Sequence, residues 1–209
     1  ARGHGRHGFR AESMNKSVKM IVLKRMKWAE ADLIIHGLEP NGARLHCLAR
    51  GALKSRKRFG GGLLEPTHYL ECQVKMAVRE DALHSLEDAR LLEGFEGLRS
   101  DYDRLNLALR CLDVIDRSNP GDVFPEIFNL LGNSLKTLAD GANLARVEAQ
   151  FGLKFLKLHG VLEFDEWMAP FLEQPIATSA GESAFPQVPT PKRSWLSEQI
   201  KRYVQSASL

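Results

Sequence analysis

The chain predicts a two-part α+β fold: a five-stranded OB-type β-barrel at the N-terminal side, followed by an all-α helical bundle. Three observations carry this. Short runs of alternating polarity fill residues 16–92, and from Glu93 the apolar positions recur every three or four residues. The charge also divides along the chain. Residues 1–64 hold fourteen Lys and Arg against four Asp and Glu, a balance of +10, whereas residues 65–209 hold fifteen against twenty-two, a balance of −7. With 209 residues and 44% hydrophobic composition, the chain has the material for packed cores. The expected units are a disordered tail over 1–13, a barrel over 14–92 and a helical unit over 93–209.

Taken in order, Val18–Met26 is rich in strand formers and Ala31–Leu38 is a compact apolar run. Glu39-Pro40-Asn41-Gly42 follows, and Asn-Gly between two such runs is a strong hairpin signal. Ala43–Arg50 sets Leu45, Cys47 and Ala49 on one face against Arg44, His46, Leu48 and Arg50. Thr67–Val78 alternates in the same way, with a break at Asp81, and Leu83–Leu92 fits either a last strand or a helix start, the strand through about Leu91 being favoured. Closure into a small barrel suits five short strands because it leaves no edge exposed.

The helical stripes are Phe95, Leu98, Tyr102, Leu105, Leu109 and Leu112, then Phe124 to Leu138, then Leu144 to Leu158. Asn119-Pro120-Gly121-Asp122 separates the first two, with Asp122 placed to cap the second, and His159-Gly160 ends the third. Phe164–Leu172 is a shorter helical segment. Residues 174–191 read as a Pro- and Ser-rich loop, and 192–206 as a closing helix that docks through Trp195, Leu196, Ile200, Tyr203 and Val204.

Function centres on Arg50–Pro66, RGALKSRKRFGGGLLEP. Arg50, Lys54, Arg56, Lys57 and Arg58 crowd its first nine residues, and no carboxylate lies between Glu39 and Glu65. Unpaired cations are too costly to bury, so this stretch is expected to be a flexible surface loop. A cationic loop on a rigid barrel suits a polyanion, since each neutralised phosphate releases counterions. Lys24, Arg25, Lys27 and Arg44 on neighbouring strands extend the positive face. Trp28, Phe59 and Tyr69 are the aromatics available for stacking on bases, Phe59 foremost; core or rim packing is the competing reading of each.

Other chemistries find little support. There is no P-loop and no G-x-S-x-G. Asp101, Asp103, Asp113 and Asp116 are spaced as solvated helix faces, so no catalytic residue is expected. No C-x-x-C occurs, and Cys72 and Cys111 read as small buried hydrophobes, so no metal or other cofactor is expected. The odd count of three separated cysteines suggests a reducing compartment, and the cytoplasm, associated with the nucleoid, is the expected location. No run of about 18 apolar residues predicts a membrane span.

The order of parts resembles the RecO family of bacterial recombination mediators. The resemblance lies in R-G-A-x-K-S-R-x-R-F-G-G (Arg50–Gly61) followed by L-L-E-P-x-x-Y-L-E (Leu63–Glu71), supported by Val22-Leu23-Lys24, Glu30–Ile34, Leu83–Phe95 and Trp195–Tyr203. It implies a non-enzymatic DNA-repair factor that binds single- and double-stranded DNA through its barrel. Such a factor anneals complementary strands, engages the single-stranded-DNA-binding protein and works with RecR to load recombinase. It implies no membrane and no small-molecule substrate. DNA contact carries over to Arg50, Lys54, Arg56, Lys57 and Arg58, and more weakly to Lys24, Arg25, Lys27 and Arg44. The chain departs from the family pattern in one respect: many members hold a four-cysteine zinc module after the third helix, and Gly160–Pro191 has no cysteine. Two other readings fit the same charges: an RNA- or ribosome-associated OB protein, and an adaptor acting through its helical bundle.

Overall fold

A computed structural model describes residues 14–79, 82–118, 123–177 and 185–207. Five strands, β1 (Asn15–Lys27), β2 (Leu33–Leu38), β3 (Arg44–Ala49), β4 (Tyr69–Lys75) and β5 (His84–Glu93), close into a barrel in the order β1-β2-β3-β5-β4. All neighbours run antiparallel except β3 and β5, which meet in parallel at Cys47–His84 and Leu48–Ser85. This is the OB-type arrangement that the sequence predicts. The hairpin between β2 and β3 turns at Gly42, whose φ of 90° is open to glycine at little cost. A Cβ there would also collide with the Phe124 backbone, so the turn is seated against the helical part.

β1 explains how barrel and helices join. Val18, Met20 and Val22 point into the barrel, where they meet Leu45, Cys47, Leu70, Cys72, Val74 and Leu86. Ile21 and Leu23 point outward and enter a second core built from the helices. The uninterrupted apolar run Met20–Leu23 is therefore buried on both faces.

The helical part starts with a 3-10 turn, Glu96–Ser100, followed by α1 (Tyr102–Asp116), α2 (Pro125–Ala139), α3 (Leu144–Leu158), α4 (Ala169–Glu173) and α5 (Thr190–Ala207). The predicted first helix is thus broken. Asp101 is extended, and its side chain accepts from the Asp103 and Arg104 amides at 2.9 and 3.1 Å, starting α1 afresh. The restart shifts the buried face to Leu107, Ala108, Cys111, Leu112 and Ile115, leaving Tyr102 and Leu109 outside, contrary to the predicted stripe. Arg104 reaches across to the Leu138, Gly141 and Ala142 carbonyls and completes the open end of α2.

α3 follows its predicted stripe and α2 does so from Ile127 on, with Phe124 exposed just before the helix; α5 docks on α3 through Leu196 and Val204, with Tyr203 edge-on to Phe155. The segment predicted over Phe164–Leu172 forms a 3-10 turn, Glu166–Met168, before α4, with Phe164 exposed. Trp167 meets Phe171 and Trp195 edge-on, Phe171 meets Phe185, and the Arg146 guanidinium lies 4.9 Å from the Phe185 ring centre. Between Gly160 and Pro191, then, the described residues are clasped by aromatic rings. The chain has neither cysteine nor histidine there, so a thiolate-bound zinc does not fit this segment. The tail over 1–13, the break at Asp81, the turn with its cap at Asp122, and part of the 174–191 loop lie outside the described residues.

Candidate nucleic-acid interface

The stretch from Arg50 to Pro66 is not the flexible loop that its charge and glycines suggest but a folded cap on the barrel, held by its hydrogen bonds and by three apolar side chains. The Leu53 amide donates to the Ala31 carbonyl at 2.9 Å, and the Gly51 amide donates to Asp32 Oδ1 at 2.8 Å. Ser55 Oγ accepts from the Arg58 and Phe59 amides, closing a tight turn. Gly60 lies so close to the Arg56 carbonyl that a Cβ could not be accommodated. Ala52, Phe59 and Leu64 enter the barrel core. Phe59, the foremost stacking candidate, is only 5% exposed, which removes it from that role: it anchors the cap instead. Five cations precede it, and burying this ring while Leu53 stays exposed fixes which way the cap faces.

All five cap cations, Arg50, Lys54, Arg56, Lys57 and Arg58, are exposed. Among the described residues none forms an ion pair with a carboxylate. Arg58 lies over the Phe59 ring and donates to the Arg50 and Glu87 carbonyls, which orients it without neutralising it. Among the described residues, then, no carboxylate of the acidic back half neutralises this face.

The neighbouring cations divide. Lys27 is exposed at the end of β1, next to the cap. Arg25 pairs with Glu65 at 2.7 Å, and Lys24 Nζ lies 4.0 Å from Asp116. Arg44 is turned away from the face. Its guanidinium donates to Gly42 O, Ile115 O and Ser118 Oγ, binding the hairpin to the end of α1. Strand alternation put Arg44 on the outer face correctly, but that part of the outer face is covered by a helix seventy residues further along the sequence. Of the remaining aromatics, Tyr69 is half-buried edge-on to Phe128, and Trp28 is 65% exposed.

One titratable group assembles at the barrel–helix junction. His36 and His46 are cross-strand partners with stacked rings, centroids 4.2 Å apart, and Asp116 Oδ1 lies 2.7 Å from His36 Nδ1. The Asp116 side chain is only 6% exposed, so the sequence reading of a solvated carboxylate fails there. Burial alone would raise its carboxyl. The hydrogen bond from His36 and the nearby charges of His36, Lys24 and His46 outweigh that and hold it below the ordinary value. His46 keeps an exposed edge on the strand's outer face; its partial burial, and then the neighbouring His36, pull its imidazole down. Three such ligands in reach of one another could hold a cation, but Lys24 and Arg44 set positive charge against one. The group reads as a polar joint. The three cysteine thiols are each pushed up to about 12, with burial as the main cause; Cys72 and Cys111 match their predicted role of small apolar fillers, and Cys47 joins them.

No described helix is long and apolar enough to cross a membrane. Residues 14–95 match the family model described as Recombination protein O N terminal. Among curated proteins the chain is similar to the DNA repair protein RecO of Rubrobacter xylanophilus, with 34% identity over 141 residues, covering 67% of this chain and 55% of the relative. It is 32% identical to that of Syntrophobacter fumaroxidans over 143 residues, covering 68% and 56%. To that of an Anaeromyxobacter it is 30% identical over 170 residues, covering 78% and 65%. The chain thus spans little more than half the length of the first two relatives. The matched segment ends where the strands end and includes every cation of the cap. Through this barrel the chain belongs to the RecO family.

Proposed function

We propose that the protein is a DNA-repair and recombination factor that acts by binding DNA, without catalysing a covalent step. The observation that carries this is the cap itself: five exposed cations, clustered on a rigid barrel and free of carboxylate partners among the described residues. Such a surface collects phosphates without reading sequence. It serves single and double strands alike, and two strands held on it repel each other less, which favours annealing of complements. The relatives' name, DNA repair protein RecO, supports the same reading.

The helical part adds a second element. A cavity of about 240 Å³ opens between α1, α3 and α5, lined by Leu107, Val114, Phe151 and Leu196 and edged by Arg193 and Lys201. Its size and apolar lining suit the short tail of a protein partner. In this proposal the helical part meets the single-stranded-DNA-binding protein and RecR while the barrel holds DNA for recombinase loading. The division of the chain into a DNA-binding unit over 14–92 and a partner-binding unit over 93–209 belongs to the same reading.

The test is binding of a labelled oligonucleotide across a salt series. Five phosphate contacts on a single strand predict a log–log slope of about −3.5. Replacing Lys54, Arg56, Lys57 and Arg58 with alanine should flatten the slope and weaken binding to all sequences equally, with the circular dichroism spectrum unchanged. Affinity indifferent to salt, or an unaffected quadruple variant, would refute the proposal.

A further inference from the structure

Trp28 stands in the turn between β1 and β2 and keeps 65% of its surface open. The turn is well ordered by its bonds: the Trp28 amide donates to the Asp32 carbonyl at 3.0 Å. The same turn is stitched to the cap by the Leu53–Ala31 and Gly51–Asp32 hydrogen bonds. These links bring Trp28 to the end of the barrel that carries Arg50 and Lys54, with Lys27 adjacent in sequence. Leu53, on the cap side of the seam, is itself 50% exposed. The other two tryptophans, Trp167 and Trp195, meet each other in the helical part and serve packing. The other widely exposed aromatics sit among carboxylates, Tyr102 between Asp101 and Asp103, and Phe164 between Glu163 and Asp165. Of these, Trp28 is the open ring whose turn is bonded to the cationic cap, with Lys27 before it and Glu30 and Asp32 after it.

An open indole beside a phosphate-collecting surface has the two elements that single-stranded nucleic acid uses, a charged track and a flat apolar face. We propose that Trp28 is a stacking platform for an unpaired base of single-stranded DNA, and that it adds a preference for single over double strands to a cap that holds both. The inference rests on the reading of the cap as a DNA-binding surface and adds a division of labour to it. The cap cations hold any sugar-phosphate chain. The indole acts only on a strand whose bases are free, because in a duplex each base face is already covered by its neighbours. Glu30, the exposed carboxylate of the turn, opposes the approach of phosphate and tempers the affinity.

The experiment uses the full chain and two probes, an oligo-dT strand and a duplex of equal length, each read by anisotropy of a label. Trp28→Ala should weaken oligo-dT binding roughly tenfold and leave the duplex unchanged, since one stacked base accounts for about that much. Trp28→Phe should keep most of the affinity, and Trp28→Leu, apolar but without a π face, should not. Oligo-dT should quench the intrinsic fluorescence of the wild type, and the quench should vanish in Trp28→Phe while binding persists. Glu30→Gln should tighten both probes. Unchanged oligo-dT binding by Trp28→Ala would overturn the inference. So would Leu serving as well as Phe, or a Trp28→Ala effect explained by loss of self-association in sedimentation. If the wild type bound neither probe, the underlying DNA reading would fall with it. If it bound both and ignored Trp28, only the platform would fall.

Discussion

The Arg44 guanidinium donates to the Ile115 carbonyl at 2.8 Å, fastening the start of β3 to the last turn of α1. The same nitrogen reaches Ser118 Oγ, and the other terminal nitrogen reaches Gly42 O. A charged group spent on three partners of its own chain has little left for phosphate. Arg44→Ala is expected to lower stability by about 1.5–3 kcal/mol, measured by urea unfolding. Oligonucleotide affinity should stay near that of the wild type. A drop in affinity at unchanged stability would return Arg44 to the binding face.

Phe59 tethers the cap to the barrel interior. Phe59→Ala should cost about 3–5 kcal/mol, a thermal shift easily read by calorimetry. Phe59→Leu should recover most of it. DNA affinity should fall in parallel with the loss of cap order, seen as faster amide exchange over Ala52–Leu64. Retained cap protection in Phe59→Ala would show that the ring is not the anchor.

The junction gives stability a pH dependence of definite sign. His46 titrates below 6.5 in the fold because of burial and His36. As the pH falls below 6.5 the unfolded chain takes up that proton first, so stability present above this value is lost below it. Asp116 acts in the same direction further down. Its folded value lies below 3.8, so its contribution is present above 3.8 and disappears as the pH falls through the folded value. Urea midpoints should therefore fall from pH 7.5 to 5.5, and His46→Gln should flatten that first decline. A midpoint rising over this window would contradict the assignment.

Cys47, Cys72 and Cys111 are buried, with thiols pushed up to about 12. Thiolate is the reactive form, so a thiol reagent should label none of them in the native protein at pH 8 and all three in denaturant. Rapid native labelling of one would place it on a face that opens.

Much of the barrel was legible because a strand's polarity has a period of two. Leu45, Cys47 and Ala49 alternate with His46 and Leu48, and the buried face follows. Asn41-Gly42 marked its hairpin because few residues accept a positive φ. The cap cations were legible as an exposed cluster because charge resists burial. Three things were not. The break at Asp101 looks like one more polar residue on a helix face, yet its side chain caps α1 and resets the phase. Phe59 among cations resembles a stacking residue, and only the closed barrel reveals a cavity for it. Arg44 and Asp116 find their partners seventy and eighty residues away, a pairing that no local pattern encodes.

The ring clasp of Trp167, Phe171, Phe185 and Trp195 has a practical consequence. A segment secured in this way needs no ion delivered after synthesis, and a chelator or a thiol oxidant has nothing in it to attack. Its grip depends on water instead. It should slacken on cooling, as apolar association does, and remain indifferent to the zinc supply of the cell.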